Sequence, residues 1–115
     1  MLSRLATEFA AEIANHDWSD APWRLDRAGH DRVTDSHRGD KCLTEEETDR
    51  VRTNVMWVTA QVLWHMDPNL DVHEFATACG VPRSITHRKD GKPSGGIVAG
   101  IRFDGDHPFT PGNPA

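Results

Sequence analysis

Apolar positions fall into a helical stripe at the start of the chain. Leu2, Leu5, Ala6, Phe9, Ala10 and Ile13 recur at the three- and four-residue steps of one helix face, with Arg4, Glu8 and Asn15 opposite. This pattern predicts an amphipathic helix over residues 2–16, with Arg4 and Glu8 as an i,i+4 pair on its wet face. A longer pattern opens at Thr44-Glu45-Glu46-Glu47. There the Thr44 hydroxyl is placed to accept from the Glu47 backbone N–H while the Glu47 side chain reaches back, a capping box. The three carboxylates also suit the positive end of a helix dipole. The helix is expected to run to about Met66, roughly 33 Å at ~1.5 Å per residue. Val51, Val55, Val58, Val62 and His65 form a seam of alternating four- and three-residue steps along it. Met56 and Leu63 widen that face, and Trp57 and Trp64 line another. Little after residue 55 is polar, so this reads as the central helix, buried in the core. The same spacing is a heptad seam, which makes a coiled-coil homodimer the competing reading.

Pro68 ends the central helix, and Asp71, three residues before Glu74, opens another with a capping box of its own. Between the first two helices, residues 17–43 carry Trp18 and Trp23 near a Pro-containing turn, then a polar run without a stable period. That run is compatible with a short hairpin around Arg32–Thr34, an ordered loop or a mobile one. Towards the end of the chain, the apolar segment 97–103 reads as a strand. The expected fold is mainly α, one domain over 1–115. It has a central helix at about 45–66, a helix-turn-helix-like part at 71–88, a short β wing or hairpin near 97–103, and a tail at 104–115.

The segment Asp71–Phe103 carries the clearest functional pattern. Phe75 and Cys79 supply apolar packing, Ala76 is the small residue at a helix contact, and Gly80 suits the left-handed position after a helix end. Val81 then locks the turn, and Pro82 fits the first turn of a new helix. Arg83, Ser84, Thr86, His87 and Arg88 would face outward, with Ile85 inward. The Asp90-Gly91 pair is a hairpin signal. These residues resemble the winged helices of the excisionase and MerR type. Gly80-Val81-Pro82-Arg83-Ser84 matches the family's turn, Lys89-Asp90-Gly91-Lys92-Pro93 the start of its wing, and Gly100-Ile101-Arg102-Phe103 its last strand. The resemblance implies DNA binding, with Arg83, Ser84, His87, Arg88, Lys92 and Arg102 as contacts. The interval from Gly80 to Gly91 is shorter than the family pattern by about two residues, leaving barely two turns of recognition helix, and Ile85 sits one position early.

Charge changes the picture more than composition does. The net charge is −5, with 37% hydrophobic and 27% charged residues, which fits a folded domain rather than a disordered chain. Residues 1–69 hold 8 Lys/Arg against 13 Asp/Glu, whereas 70–115 balance at 5 against 5. Arg83, Arg88, Lys89 and Lys92 cluster with only Asp90 opposing them. Non-specific coating of nucleic acid is therefore disfavoured, while a focused phosphate contact through that cluster is compatible. The alternative reading is an acidic protein-binding module, an inhibitor or adaptor, with Trp18 and Trp23 as anchors for a basic partner.

Further expectations are negative or local. Cys42 and Cys79 have no metal or redox spacing and read as reduced thiols, Cys79 in the core, with a disulfide between them left open. His30, His37 and Cys42, with Asp31 or Asp35, are the only candidate metal ligands, but intervals of seven and five are unlike the tight ligand pairs of zinc sites. No metal or other cofactor is expected. His65 reads as a boundary residue and His73 as solvated. Phosphate-loop, HExxH and nucleophile-elbow motifs are absent, so an enzyme is the least expected class. No apolar run has membrane-spanning length, and Glu8 and Glu12 stand where a signal peptide would be apolar. The expectation is a cytoplasmic regulatory or accessory factor of the phage or mobile-element kind.

Overall fold

A computed structural model describes residues 1–25, 28 and 40–112. Helix α1 (Arg4–Asn15) begins where the Ser3 hydroxyl accepts from the Ala6 N–H at 3.1 Å. It ends where the His16 N–H reaches the Glu12 carbonyl. Helix α2 (Glu45–Met66) has the expected capping box in both directions. Thr44 N–H donates to the Glu47 carboxylate at 2.9 Å and Glu47 N–H donates to the Thr44 hydroxyl at 3.1 Å. These bonds, first the backbone one, hold the Glu47 carboxyl below its usual range. Helix α3 (Val72–Ala78) is capped by Asp71, whose carboxylate accepts from Glu74 N–H at 3.1 Å. The reciprocal half of that box is absent; the Glu74 carboxylate instead faces the Met1 ammonium at 3.5 Å.

Two short helices follow, α4 (Arg83–Thr86) and α5 (Gly96–Ala99), and then a two-stranded antiparallel hairpin. Its strands, β1 (Phe103–Asp104) and β2 (His107–Pro108), pair Phe103 with Pro108 and Asp104 with His107. The strand expected over 97–103 is thus a correction. Ile97, Val98 and Ala99 form a turn of helix, and the β structure starts at Phe103 and takes up part of the expected tail. Gly100 explains the difference. A Cβ there would lie 2.2 Å from the Trp57 indole, so the chain crosses the ring edge-close at glycine while Trp57 Nε1 donates to the Ile97 carbonyl at 2.9 Å. The α5 turn brings that carbonyl to the indole.

The core lies where α1, α2 and α3 meet. Phe75, Met56, Ala60, Ala76 and Cys79 are fully buried, with Ala6 and Ala10 of α1 against them. Burial pushes the Cys79 thiol pKa up to about 12, and both Cys79 and the exposed Cys42 are free. The inward face of α2 is a second correction. Thr53, Met56, Ala60, Gln61 and Leu63 are buried, whereas Val58 and Val62 of the valine seam are 72% and 39% exposed. Both faces of α2 are apolar, and the one that meets α1 is the one with the alanine. A valine row would hold the helices too far apart to bury Ala6 and Ala10. On α1 the same selection leaves Leu5 and Phe9 at the edges, 47% and 44% exposed.

The two faces of α2 should answer differently to truncation. Met56→Ala is expected to cost about 2–5 kcal/mol in denaturant unfolding. Val58→Ala, which removes no core contact within the chain, is expected to cost well under that.

Candidate nucleic-acid interface

The sequence that leaves α3 is shaped by one glycine. Gly80 has φ +87°, its N–H donates to the Thr77 carbonyl at 3.1 Å, and Val81 N–H donates to the Ala76 carbonyl at 3.1 Å. This Schellman arrangement closes the helix and turns the chain. Val81 is buried, as the turn requires. Pro82 is the cap of α4 and not its first residue, and its carbonyl accepts from Ile85 and Thr86 N–H. Ile85 packs against the core from the edge, as expected. Helix α4 is a single turn of four residues, shorter than the two turns its sequence allowed.

After α4 the chain makes a tight basic turn. His87 bridges Pro93, Arg88 N–H donates to the Lys92 carbonyl at 2.8 Å, and Gly91 N–H donates to the Arg88 carbonyl at 3.0 Å. Asp90 accepts from Lys92 N–H at 3.0 Å, and Gly91 takes φ +85°. The Asp-Gly hairpin signal therefore corresponds to a real turn at 88–92. Arg83, Ser84, Arg88, Lys89 and Lys92 are all exposed along this ten-residue stretch. Asp90 is the one carboxylate in it, and it pairs with Arg88 at 3.3 Å. The stretch thus offers four cations against one anion.

Thr86 braces this turn from within. It is buried, not outward-facing as its position after Arg83 suggested. Its carbonyl accepts from His73 Nε2 at 2.7 Å and from Ser94 N–H at 2.8 Å, and its hydroxyl lies 2.7 Å from His87 Nδ1. One threonine thus joins α3, α4 and the far limb of the basic turn. His73, expected to be solvated, is half-buried with its ring edge-on to His87, centroids 5.0 Å apart. No sequence signal marks this link, because His73 and Thr86 are polar residues thirteen positions apart. Burial, then Arg83 and then His73, hold the His87 pKa below its usual value.

The remaining candidates are elsewhere. Arg102 is exposed, but its backbone is held on α2: its N–H donates to Gln61 Oε1 at 2.9 Å, and its carbonyl accepts from Gln61 Nε2 at 3.1 Å. It lines a groove of about 220 Å³ with Trp57, Val58 and Val62. Trp18 is not a free anchor. Its indole donates to the Ile13 carbonyl at 3.0 Å and its ring lies against His16. Trp23, in a 3-10 turn at Ala21–Trp23, is 46% exposed. His30, His37 and the Arg32–Thr34 hairpin lie outside the described residues. Among the described residues, no three His, Cys, Asp or Glu gather as a metal site, and no helix is long and apolar enough to cross a membrane. Comparison with family models, curated proteins and solved structures gives no match.

Stability depends on pH through His87, whose charged form is disfavoured by burial, by Arg83 and by His73. Its folded pKa is depressed, so the unfolded chain takes up the proton first as pH falls. Stability on this account is full above the ordinary histidine value of 6.5 and declines as pH drops from there to below the folded pKa. An NMR titration should place the His87 midpoint below 6.5, and His87→Gln should flatten the fall of thermal midpoint over that window.

Proposed function

We propose that this protein is a small DNA-binding accessory or regulatory factor that acts by contact, and that the 83–92 stretch is its contact surface. The observation that carries the reading is the braced basic turn. Arg83, Arg88, Lys89 and Lys92 stand exposed around a turn locked by Thr86, on a chain whose net charge is −5. Outside this stretch the chain is net acidic, so the cationic turn orients the approach of a polyanion. On this reading α3, the Gly80 turn and α4 act as a helix-turn-helix and the 88–92 turn as its wing, in the manner of the excisionase and MerR-type modules that the sequence resembles.

The short α4 sets what such a contact does. One turn of about 6 Å is too short to lay a reading face along a major groove, which admits a longer helix. Arg83 and Ser84 at its start reach a groove edge, and the three cations of the turn reach phosphates. Contact with the backbone therefore dominates, and sequence preference is modest. His87 acts as a brace more than as a contact, and Arg102, held on α2, is left out of the surface. The protein-binding alternative loses Trp18 as an anchor and keeps Trp23.

Fluorescence anisotropy on a short labelled duplex tests the proposal. With three or four phosphates neutralised, log K should fall with log salt at a slope of about −3. Replacing Arg83, Arg88 and Lys92 together by Ala should weaken binding at least about tenfold at low salt and flatten that slope. No binding at low salt, or a triple variant that binds like the parent, refutes the reading.

A further inference from the structure

Helix α2 is apolar on two faces, and among the described residues the second is covered only in part. At about 100° per residue, Val58 points roughly 160° away from Met56. Val51, Val55 and Val62 lie within about 60° of Val58 on the side away from Thr53, Met56 and Ala60; Val55 is half-buried at the edge of the core and Val51 is half-buried, so the open part of the row is at Val58 and Val62. Val58 is 72% exposed, and Val62 and Met66 are exposed with it. From Thr53 to Met66 the helix holds no Asp, Glu, Lys or Arg. This charge-free stretch is about 21 Å long. An apolar row left open on a helix marks a place where another surface packs.

The geometry points to a second copy of this chain as the cover, with two α2 helices packed antiparallel along their valine seams. Three observations select that occupant. The seam keeps strict four-three spacing from Val51 to His65, the repeat with which one helix meets another. Each chain carries −5, so two copies repel except where charge is lacking, and α2 from residue 53 to 66 is such a place. The acidic start of α2, Glu45-Glu46-Glu47, then decides direction. A parallel pair sets these six carboxylates side by side. An antiparallel pair centred on Val58 parts the two clusters by about 36 Å, far beyond a Debye length of ~8–10 Å. In that arrangement Val58 meets its own copy near the two-fold axis, Val55 meets Val62, and Val51 meets His65 or Met66. The groove beside the seam, bounded by Trp57, Gly100 and Arg102, receives the flank of the second helix.

Sedimentation equilibrium of the full chain in the micromolar range, without DNA, tests this apart from the nucleic-acid reading. The parent should be a dimer, and Val58→Glu with Val62→Glu should be a monomer with unchanged far-UV circular dichroism, since neither residue is in the core. A parent that stays monomeric overturns the proposal, and so does a double variant that stays dimeric. Direction is read by disulfide trapping in a Cys42→Ser background, which removes the exposed native thiol. Val58→Cys should cross-link to itself quickly and Val51→Cys should not; fast self-linking at Val51 overturns the antiparallel pairing.

Discussion

The close approach of α1, α2 and α3 through alanine is the constraint on which the rest of the structure rests. Ala6 and Ala10 on α1, Ala60 on α2 and Ala76 on α3 are all buried, so the helix backbones come near enough for Phe75 and Met56 to fill the space between them. Phe75 and Met56 are each fully enclosed, which makes the packing there specific as well as dense. Once α2 is seated this way, its remaining faces are assigned. Trp57 and Gln61 look towards the C-terminal segment, Trp64 meets Phe103 edge-on at 5.0 Å, and Val58 and Val62 look out.

The chain after Thr86 is attached to that frame by Ile97 and Ile101, which are buried in the core, and by a set of polar atoms. Gln61 uses both ends of its amide on the backbone of Arg102, Trp57 donates to Ile97, and Thr86 collects His73, His87 and Ser94. Each of these side chains satisfies buried or half-buried backbone groups that would otherwise be left without partners. The helical turn at 96–99 buries Ile97 completely, and Ile101 and Phe103 extend that apolar contact to the small hairpin at 103–108. Directional bonds to α2 then fix the position of both.

What was legible in the sequence was local. The start of α2 follows from Thr44 and Glu47, the end of α3 from Gly80, and the basic turn from Asp90-Gly91, because each depends on residues within a few positions. The side of α2 that faces inward was not legible. Both rows are apolar at helical spacing, and valine scores higher than an alanine-methionine row until the alanines of α1 are considered as its partner. Ile97-Val98-Ala99 has the β-branched character of a strand, yet Trp57, forty residues earlier, bends it into helix. Thr86 reads as outward in the sequence because nothing near it shows that His73 will reach its carbonyl. The basic residues 83–92 were found as a group because charge survives without context. Arg102, grouped with them by resemblance, belongs to α2 instead.

The basic turn is clamped at its base, where the Thr86 carbonyl accepts from Ser94 N–H and His87 bridges Pro93, and the chain beyond it is fixed by the Trp57 bond to Ile97. A loop of that length hung freely from a surface keeps most of its backbone entropy and must surrender it when it meets a ligand. Here the surrender has already occurred during folding. Whatever touches Arg88, Lys89 and Lys92 meets charges whose backbone is already ordered, so that contact is set by the side chains alone.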